Sequence, residues 1–276
     1  MRNVAWSLVS LATALVACAP ENPGVQPTVV ASPGAAPPTG PVTTPPSPSP
    51  VGKTAHIPET TFHMGSEAGE PDEMPVHPTH VAAFDMDLTE VTVSQYAGCV
   101  HAGACTPAAT AVSWPGITSA DEQIARDMCN GSRPDRQDHP ANCVDWSMAD
   151  AYCRWAGERL PTEEEWEYAA CGGDCSKFVP SPTLRGAAHW PLTSRVALSK
   201  PGPFGLYDMA GSVWEWTASA YCPYDHPGCG DSRRVVRGGS WSMVDYLFVR
   251  LTDRSPSDPA TRNTNLGFRC ARSPAP

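Results

Sequence analysis

Basic residues are scarce in this sequence. Its 276 residues include 19 Lys and Arg against 29 Asp and Glu, which gives a formal net charge of -10 and a pI near 5.2. A nucleic-acid surface needs clustered Lys and Arg to neutralise phosphates. The charge balance therefore argues against nucleic acid as a partner.

An apolar run long enough to span a bilayer comfortably is also missing at the N-terminus. The stretch MRNVAWSLVSLATALVAC has one positive charge, a short apolar run and small residues before Cys18, which predicts a secretory signal peptide. Its last four residues, LVAC, resemble a bacterial lipobox, in which the cysteine becomes the lipidated first residue of the mature protein. An ordinary signal peptide with an incidental cysteine is the alternative. We expect residues 1–18 to be a lipoprotein signal peptide, and the chain to be an exported bacterial lipoprotein of the periplasm or cell surface, membrane-anchored through Cys18.

Aromatic and charged residues are almost absent from residues 19–52, where eleven prolines stand among small and hydroxylated residues. Such a composition cannot bury enough apolar surface to offset the loss of chain entropy. We expect a Pro-rich disordered linker that holds the folded part away from the membrane. Residues 53–276 remain, which is enough for one domain with its own core.

The chain has no free cysteine to spare if its thiols pair as their spacing indicates. Without Cys18, ten cysteines are left in a compartment that permits disulfides. Short loops favour three pairs, a polar Pro-rich loop separates a fourth, and the last two cysteines are left for a long-range link. The predicted pairs are Cys99–Cys105, Cys171–Cys175, Cys222–Cys229, Cys129–Cys143 and Cys153–Cys270. A redox or metal role for Cys171 and Cys175, or for Cys222 and Cys229, is the alternative, but a zinc tetrad and a thioredoxin-type βαβ pattern are both missing.

Regular secondary structure is predicted to be sparse. Capping boxes predict three helices, opening at Thr92, Ser147 and Thr162. Short strands are predicted in TTFHMG, HVAAFDMDL, RRVVRGG, FVRLTDR and LGFRCAR, with long irregular runs between them. The fold class is therefore mixed α+β, irregular and disulfide-rich, and such a fold needs disulfides or bound ions to fix its loops.

Six segments occur in an order that resembles one family. They are FHMGSEAGEPDEMPVH, FDMDLTEVTVSQY, CVDWSMADAYCRWAGERLPTEEEWEYAA, GLYDMAGSVWEW, RVVRGGSW and NLGFRC. In this order they are similar to the signatures of the formylglycine-generating enzyme (sulfatase-modifying factor) family, over nearly all of residues 54–273. The resemblance implies one domain, residues 53–276, with a complex α+β topology related to C-type lectins.

The resemblance also implies where the family's disulfides lie. Its long disulfide joins the positions that are Cys153 and Cys270 here, in agreement with the pairing by spacing. A second family disulfide has a cysteine at the position of Cys171, but its partner position is Asp253, so that Cys171 is expected to pair with Cys175 instead.

Calcium is implied by the segment GLYDMAGSVWEW. The family ligands carried over to this chain are the Asp208 side chain, the backbone carbonyls of Gly211 and Val213, and the Glu215 carboxylate. Carboxylates and carbonyls that converge from one Gly-containing loop suit a hard cation, with water completing the shell. The alternative is that Asp208 caps a turn and Glu215 forms an ion pair. We expect one calcium site.

Cysteine is absent from the stretch RGGSWSMVDYLFVR, where the family carries two cysteines that hold copper(I). Met243 and Phe248 occupy the two cysteine positions, and Val244 and Leu247 replace a histidine and a tyrosine, whereas Ser240 and the pocket tryptophan Trp214 remain. A thioether is a weak neutral ligand for copper(I), and a phenyl ring supplies no lone pair. Neither side chain offers a thiol nucleophile. Copper is therefore not expected, and the O2-dependent oxidation of a substrate cysteine that the family performs has lost its metal ligands.

Other candidate residues are weaker. His77 and His80 form one HxxH pattern with no third ligand in view. Ser240 lies outside a GxSxG pattern, and the acidic run EEEWE falls in a first helical turn, where carboxylates favour the helix dipole.

Two functional hypotheses remain. The first is an envelope-anchored, calcium-stabilised and catalytically divergent domain that binds a peptide, protein or glycan ligand in the cell envelope. The alternative is an oxidoreductase that converts a target-protein cysteine to formylglycine or performs a related O2-dependent modification, since a fold does not fix its function.

Overall fold

The structure is a computed structural model that describes residues 52–125, 127–177, 193–243 and 249–274. The predicted signal peptide with Cys18, and the predicted linker apart from Gly52, lie outside the described residues. The described residues belong to one unit of the chain, Pro45–Pro276. None of their helices has both the length and the apolarity that crossing a membrane requires.

Four α-helices and nine short strands form the described part of the fold. The helices are α1 (Val93–His101), α2 (Ser119–Ala125), α3 (Trp146–Trp155) and α4 (Glu163–Cys171). The strands are β1 (Thr54–Ile57), β2 (Thr60–Met64), β3 (His77–Val81), β4 (Phe84–Asp87), β5 (Trp214–Ala220), β6 (Arg234–Arg237), β7 (Arg254–Ser257), β8 (Leu266–Gly267) and β9 (Ala271–Arg272). The architecture is mixed α+β with little regular structure, as predicted.

Three small sheets organise these strands. One has the order β1-β4-β9 and is antiparallel throughout, and the second is the antiparallel β2-β3 hairpin. The third has the order β7-β6-β5-β8, and in it β8 runs parallel to β5, with Trp214 beside Leu266 and Glu215 beside Gly267. The strand pairing thus brings two distant sequence motifs, GSVWEW and NLGFRC, side by side.

Two of the three predicted helix starts are confirmed. Thr92 with Gln95 and Thr162 with Glu165 form reciprocal capping boxes at α1 and α4. The third prediction is wrong, because α3 begins at Trp146 and is capped by Asp145, whose carboxylate accepts a hydrogen bond from the Met148 amide at 3.0 Å. A charged acceptor at this position stabilises the free amides of the first turn better than the Ser147 hydroxyl does.

One strand prediction is also misplaced. The segment FVRLTDR does not form a strand where it is described: Leu251 and Thr252 lie in a turn, and β7 starts only at Arg254. The start of β7 follows its pairing with β6, in which Arg254 lies opposite Arg237. The strand β5, WEWTASA, was not predicted although apolar and polar residues alternate along it, because its first residues belong to the segment assigned to calcium binding.

The hydrophobic core falls into two main clusters. The first packs β1, β2 and β4 against α4, with Trp166 of that helix fully buried. The second packs α1 and α3 against β5 and the segment around Phe268, with Trp216 fully buried. Ala271 of β9 belongs to the first cluster, and Phe268 and Cys270 belong to the second, so that the C-terminal motif contacts both clusters.

Five disulfides connect the irregular segments. They join Cys99–Cys105, Cys129–Cys143, Cys153–Cys270, Cys171–Cys175 and Cys222–Cys229, the same pairs that the spacing of the cysteines predicts. The Cys153–Cys270 link closes a sequence separation of 117 residues. Since a longer closed loop restricts the unfolded chain more, this disulfide contributes most in the chain-entropy account.

Candidate functional site

A tight loop, Asp208–Val213, leads into β5 and carries the predicted calcium ligands. Three of its residues have left-handed backbone conformations, with φ of 58° at Asp208, 89° at Gly211 and 57° at Ser212. The Asp208 carboxylate accepts hydrogen bonds from the backbone amides of Ala197, at 2.6 Å, and Ser199, at 3.1 Å. Asp208 thus fixes the preceding loop, which is the capping role set out as the alternative to calcium.

Glu215 follows at the start of β5 and is 1% exposed. Its carboxylate accepts two hydrogen bonds from the Arg269 guanidinium and one from the Trp166 indole, each at 2.8 Å. This ion pair is also the alternative that the sequence left open. Glu215 therefore already has three charge-assisted or neutral donors from the protein.

A third buried carboxylate, Glu90, was missed by the sequence reasoning. It is 0% exposed, and neither of its oxygens has a hydrogen-bond partner at ordinary geometry among the described residues. Burial, together with the nearby charges of Asp208 and Glu215, raises the pKa of Glu90 to about 8, and Arg269 and the Ser212 hydroxyl oppose this shift. The signal in the sequence is an acidic residue within the otherwise β-branched run TEVTV.

The charge of this cluster fits a bound cation. Glu90, Asp208 and Glu215 supply three carboxylates, whereas Arg269 is the one cation whose charge acts on Glu90. An unpaired carboxylate in the interior is costly unless it is protonated or meets a cation. The residues present therefore fit a calcium ion in donor chemistry, with Glu90 offering the oxygens that Glu215 has already committed to Arg269.

The residues at the family's pocket positions lie next to this loop. Ser240 is 2% exposed, and its hydroxyl lies 2.9 Å from the Ser242 hydroxyl. The Asn265 side-chain amide donates to both, at 3.3 Å and 2.8 Å. The Asn265 carbonyl accepts from the amide of Trp214, which is partly buried. The structure thus brings Trp214 and Ser240 together through Asn265.

Met243, which is assigned from the sequence to one of the copper-ligand positions, packs against the protein. Its side chain lies against the first core cluster. The Met243 sulfur is also close to Gly239, since a Cβ added to that glycine would lie 2.8 Å from the sulfur. Phe248, Val244 and Leu247 lie outside the described residues. All ten cysteines of the described ranges are in disulfides, so none of them supplies a thiolate in place of Met243.

The remaining sequence candidates have structural partners. The His77 ring contacts Tyr224 with the ring centroids 4.6 Å apart and the planes tilted by 53°, and His80 Nε2 lies 3.8 Å from Glu59 Oε1. In the acidic run, Glu165 completes the capping box and pairs with Arg159 at 2.6 Å. Two further acids of the run face buried arginines, a network that the sequence did not indicate: Glu163 and Glu167 pair with Arg237, and Glu163 pairs with Arg254.

These motifs and their arrangement place the chain in a known family. Residues 41–274 match the family described as Sulfatase-modifying factor enzyme 1-like domain. The chain belongs to this family. Because the matched range contains all the described residues from β1 to β9, the membership applies to the whole described fold.

Among the relatives that are similar to this chain, one is named an enzyme and another is named an inactive enzyme. It is 32% identical over 300 residues to a formylglycine-generating enzyme of Streptomyces coelicolor, covering 87% of this chain and 94% of the relative. It is 30% identical over 268 residues to the inactive C-alpha-formylglycine-generating enzyme 2 of Mus musculus, covering 79% and 85%. Among solved structures, PvdO from Pseudomonas aeruginosa superposes with a TM-score of 0.65 at 25% identity, covering 82% of this chain and 95% of PvdO. These similarities establish the family and the fold of the chain. By their names, the relatives include both a formylglycine-generating enzyme and an inactive one.

Proposed function

We propose that this protein is a catalytically divergent family member that acts as a binding or accessory module in the cell envelope. The observation that carries the proposal is the position of Met243, which stands where the family has a copper-ligating cysteine and packs against Gly239 and the core. Copper(I) sites need soft anionic sulfur. A partly buried thioether packed against the core does not replace a thiolate, and the described cysteines are all oxidised.

The surface around Ser242 is proposed to take the ligand. Asn265 donates to both serine hydroxyls, and one hydroxyl proton is used in the bond between Ser240 and Ser242. The second hydroxyl proton has no acceptor among the described residues. If the buried Ser240 donates to the partly exposed Ser242, the Ser242 hydroxyl is left to donate to an acceptor oxygen of a ligand.

This donor chemistry suits carbonyl, carboxylate or sugar oxygens, which agrees with a peptide, protein or glycan partner. A nucleophilic role is disfavoured, because Ser240 and Ser242 accept from an amide and neither meets a histidine or carboxylate base in the hydrogen bonds of the described residues. The hydroxyl pair is therefore suited to recognition.

One calcium ion is proposed to stabilise the loop below this surface. Asp208, the carbonyls of Gly211 and Val213, and Glu215 are the ligands carried over from the family, and the unpaired Glu90 adds a further carboxylate. The ion would rigidify the loop whose Ser212 carbonyl accepts from the Trp241 amide at 2.8 Å. Calcium is thus expected to support the binding surface and to have no part in chemistry.

Export and anchoring complete the proposal. The lipobox LVAC and the Pro-rich stretch up to Gly52 support a lipoprotein that is attached through Cys18 and displayed on a linker. Five disulfides in the domain suit an oxidising compartment.

The decisive experiment measures the family's chemistry directly. The full chain is incubated with copper and a CxPxR peptide under O2, and the peptide is analysed for an aldehyde by mass spectrometry, with a formylglycine-generating enzyme as the positive control. We expect no aldehyde. Its formation at a rate dependent on copper would overturn the proposal.

The second candidate is the oxidoreductase itself. The identity of 32% to an enzyme of that name and the retention of Trp214 and Ser240 favour it. The same incubation decides between the binding module and the oxidoreductase. If no aldehyde forms, a copper(I) titration of the unreduced chain shows whether the metal site is lost or only the binding of the peptide.

A further inference from the structure

Two buried carboxylates lie on either side of the long disulfide, remote in sequence from the loop Asp208–Val213. Asp87 is the last residue of β4, and Glu158 follows the end of α3; they are 5% and 8% exposed. A carboxylate oxygen of each and the sulfur of Cys270 all lie within 4.8 Å of one another. The carboxylates are held in place by the backbone, since the Asp87 amide donates to the Cys270 carbonyl at 2.9 Å and the Glu158 amide to the Cys153 carbonyl at 2.7 Å.

Each carboxylate has an oxygen without a hydrogen-bond partner. Asp87 Oδ2 accepts from the Cys270 amide at 3.1 Å, but Oδ1 has no partner, and Glu158 Oε1 has none either. A polar atom that is buried without a partner costs about 1–3 kcal/mol. Two buried carboxylates that lie this close together and each keep such an atom need an explanation of their own.

The nearby arginines lower the pKa of these carboxyls through their charge, Arg269 and Arg272 that of Asp87 and Arg272 that of Glu158, but among the described residues none donates a hydrogen bond to the two unpaired oxygens. Arg269 spends its donors on Glu215, the Asp87 carbonyl and the Tyr207 carbonyl. Arg272 pairs with Asp85 at 3.2 Å, and its NH1 approaches Glu158 Oε1 only to 4.0 Å. Burial is the main cause that raises the pKa of Asp87 to about 6 and the pKa of Glu158 to about 7; the charge of Glu215 adds to the shift of Asp87, and the charges of Asp87 and Asp85 add to the shift of Glu158.

An open pocket of about 590 Å³ leads from the surface to Glu158. Its lining consists of Asp85, Gly157, Glu158, Arg159, Arg272 and Ser273. Arg159 is engaged by Glu165, and Asp85 by Arg272 and His56. Among the lining carboxylates, Glu158 is the one that keeps an unpaired oxygen, and this oxygen is buried beneath the pocket surface.

We propose that Asp87 and Glu158 bind a divalent cation that prefers oxygen ligands, with Ca²⁺ as the first candidate, which enters through this pocket. Two oxygens within 4.8 Å of one another can both contact an ion whose ligand distances are about 2.3–2.6 Å. The Cys270 sulfur is disulfide-bonded and is no ligand, so water completes the shell. With two carboxylates and mostly water, affinity in the range of about 10⁻⁴ to 10⁻³ M is expected, as in extracellular modules.

The site would connect three parts of the domain. Asp87 ends β4, Glu158 follows α3, and the Cys153–Cys270 disulfide lies between them. A cation there would neutralise two carboxylates that are costly to ionise in the interior, without any contribution from the calcium site proposed at Asp208. The two sites are therefore separable by substitution.

The experiment is a titration of the full chain with Ca²⁺ by isothermal calorimetry, carried out for the wild type, Glu158→Gln, Asp87→Asn and Asp85→Asn. The Asp85 variant is the matched control, because it removes a carboxylate from the same pocket whose oxygens already have partners. We expect Glu158→Gln and Asp87→Asn each to weaken one binding event at least 10-fold, and Asp85→Asn to change it less than 3-fold. Unchanged binding in the first two variants, or an equal loss in all three, overturns the proposal.

A second measurement covers the event that the variants fold poorly. Tb³⁺ replaces Ca²⁺ in an Asp208→Asn chain, in which the other proposed site is impaired, and luminescence is excited through the aromatic residues. Tyr152 responds to the charges of both Asp87 and Glu158 and is therefore near enough to sensitise the ion. A saturable signal that Ca²⁺ displaces supports the proposal; a wild-type signal that Asp208→Asn abolishes, or no signal at all, overturns it.

Discussion

Arg269 holds Glu215 through two parallel hydrogen bonds, Nε to Oε2 and NH2 to Oε1, both 2.8 Å long. Their side chains are 0% and 1% exposed. The same guanidinium donates to the backbone carbonyls of Asp87, at 3.1 Å, and Tyr207, at 2.9 Å. The C-terminal motif NLGFRC is thereby tied to β5, to β4 and to the loop before Asp208 by one side chain.

Replacing Arg269 by alanine should therefore destabilise the protein strongly. The change leaves Glu215 buried without its cation, and removing one partner of a buried pair costs about 3–5 kcal/mol. Chemical denaturation followed by tryptophan fluorescence measures the free energy of unfolding. Arg154→Ala is the matched control, because its pair with Asp150 leaves the arginine 72% exposed, and a loss below about 1 kcal/mol is expected there. Equal losses for the two variants would contradict this account.

Gly238, just before the Ser240 turn, should not tolerate a side chain. Its φ is +93°, and a Cβ would lie 2.9 Å from the Trp166 ring and 3.0 Å from the Met209 carbonyl. Gly238→Ala is expected to cost about 2–4 kcal/mol, because backbone strain and a clash in the core add together. Thermal unfolding of the purified variant checks the size of the effect.

Gly205 offers a control that isolates the backbone contribution. Its φ is +83°, but a Cβ there would meet nothing within 4 Å. Gly205→Ala should therefore cost only about 1–2 kcal/mol. A Gly238 variant as stable as the Gly205 variant would show that the turn can shift away from Trp166.

Part of this fold could be predicted from interactions between residues that are close in the sequence. The boxes of Thr92 with Gln95 and Thr162 with Glu165 involve residues three apart, so that sequence spacing alone specifies both hydrogen-bonding partners. The family motifs in turn indicated the Asp208 loop and the exchange at Met243. The start of α3 was misassigned because Asp145 and Ser147 are both competent caps, and only the burial of the first turn selects between them.

The contacts that shape the candidate sites could not be predicted in the same way. Glu90 meets Asp208, and Asp87 meets Glu158, only after strands from distant segments have paired. In the sequence, each of these four acids stands near apolar residues, and an Asp or Glu in such a position is usually expected to be exposed to solvent. Burial of these carboxylates is a property of the assembled fold, which is why site chemistry was found in the structure.

Asp253, which stands at a family disulfide position, should make stability depend on pH. Burial raises its pKa to about 7, and the charge of Arg250 opposes this shift. Because the folded pKa exceeds the unfolded value, the protein loses stability as pH rises from about 4 through 7. The Asp253→Asn variant should avoid on the order of 3 kcal/mol of this loss in the free energy of unfolding. Relative to the wild type, the variant should therefore be more stable at pH 8 and not at pH 4.

Urea denaturation at pH 4, 6 and 8 tests this dependence. The exposed carboxylate Asp138 provides the control, since Asp138→Asn removes the same charge from the surface. If the stability of the Asp253→Asn variant depends on pH in the same way as that of the wild type, ionisation of Asp253 does not destabilise the folded protein, and the prediction is wrong. Divalent cations are held constant throughout, because the other buried carboxylates are proposed to bind them.

The oxidation state of the cysteines gives the sharpest prediction about chemistry. Ten cysteines lie in the five disulfides, so the unreduced, unfolded full chain should release at most one thiol, from Cys18, in a titration with a thiol reagent. The double variant Met243→Cys with Phe248→Cys should add two thiols and raise copper(I) binding at least 10-fold over the wild type in a competition with a chromophoric chelator, because it restores paired soft ligands. Met243→Ser with Phe248→Ser, which opens the same positions without sulfur, should gain no copper. Tight copper(I) binding by the wild type, or two thiols in it, would mean that one of the five disulfides is open and that the thiolate chemistry has moved within the domain.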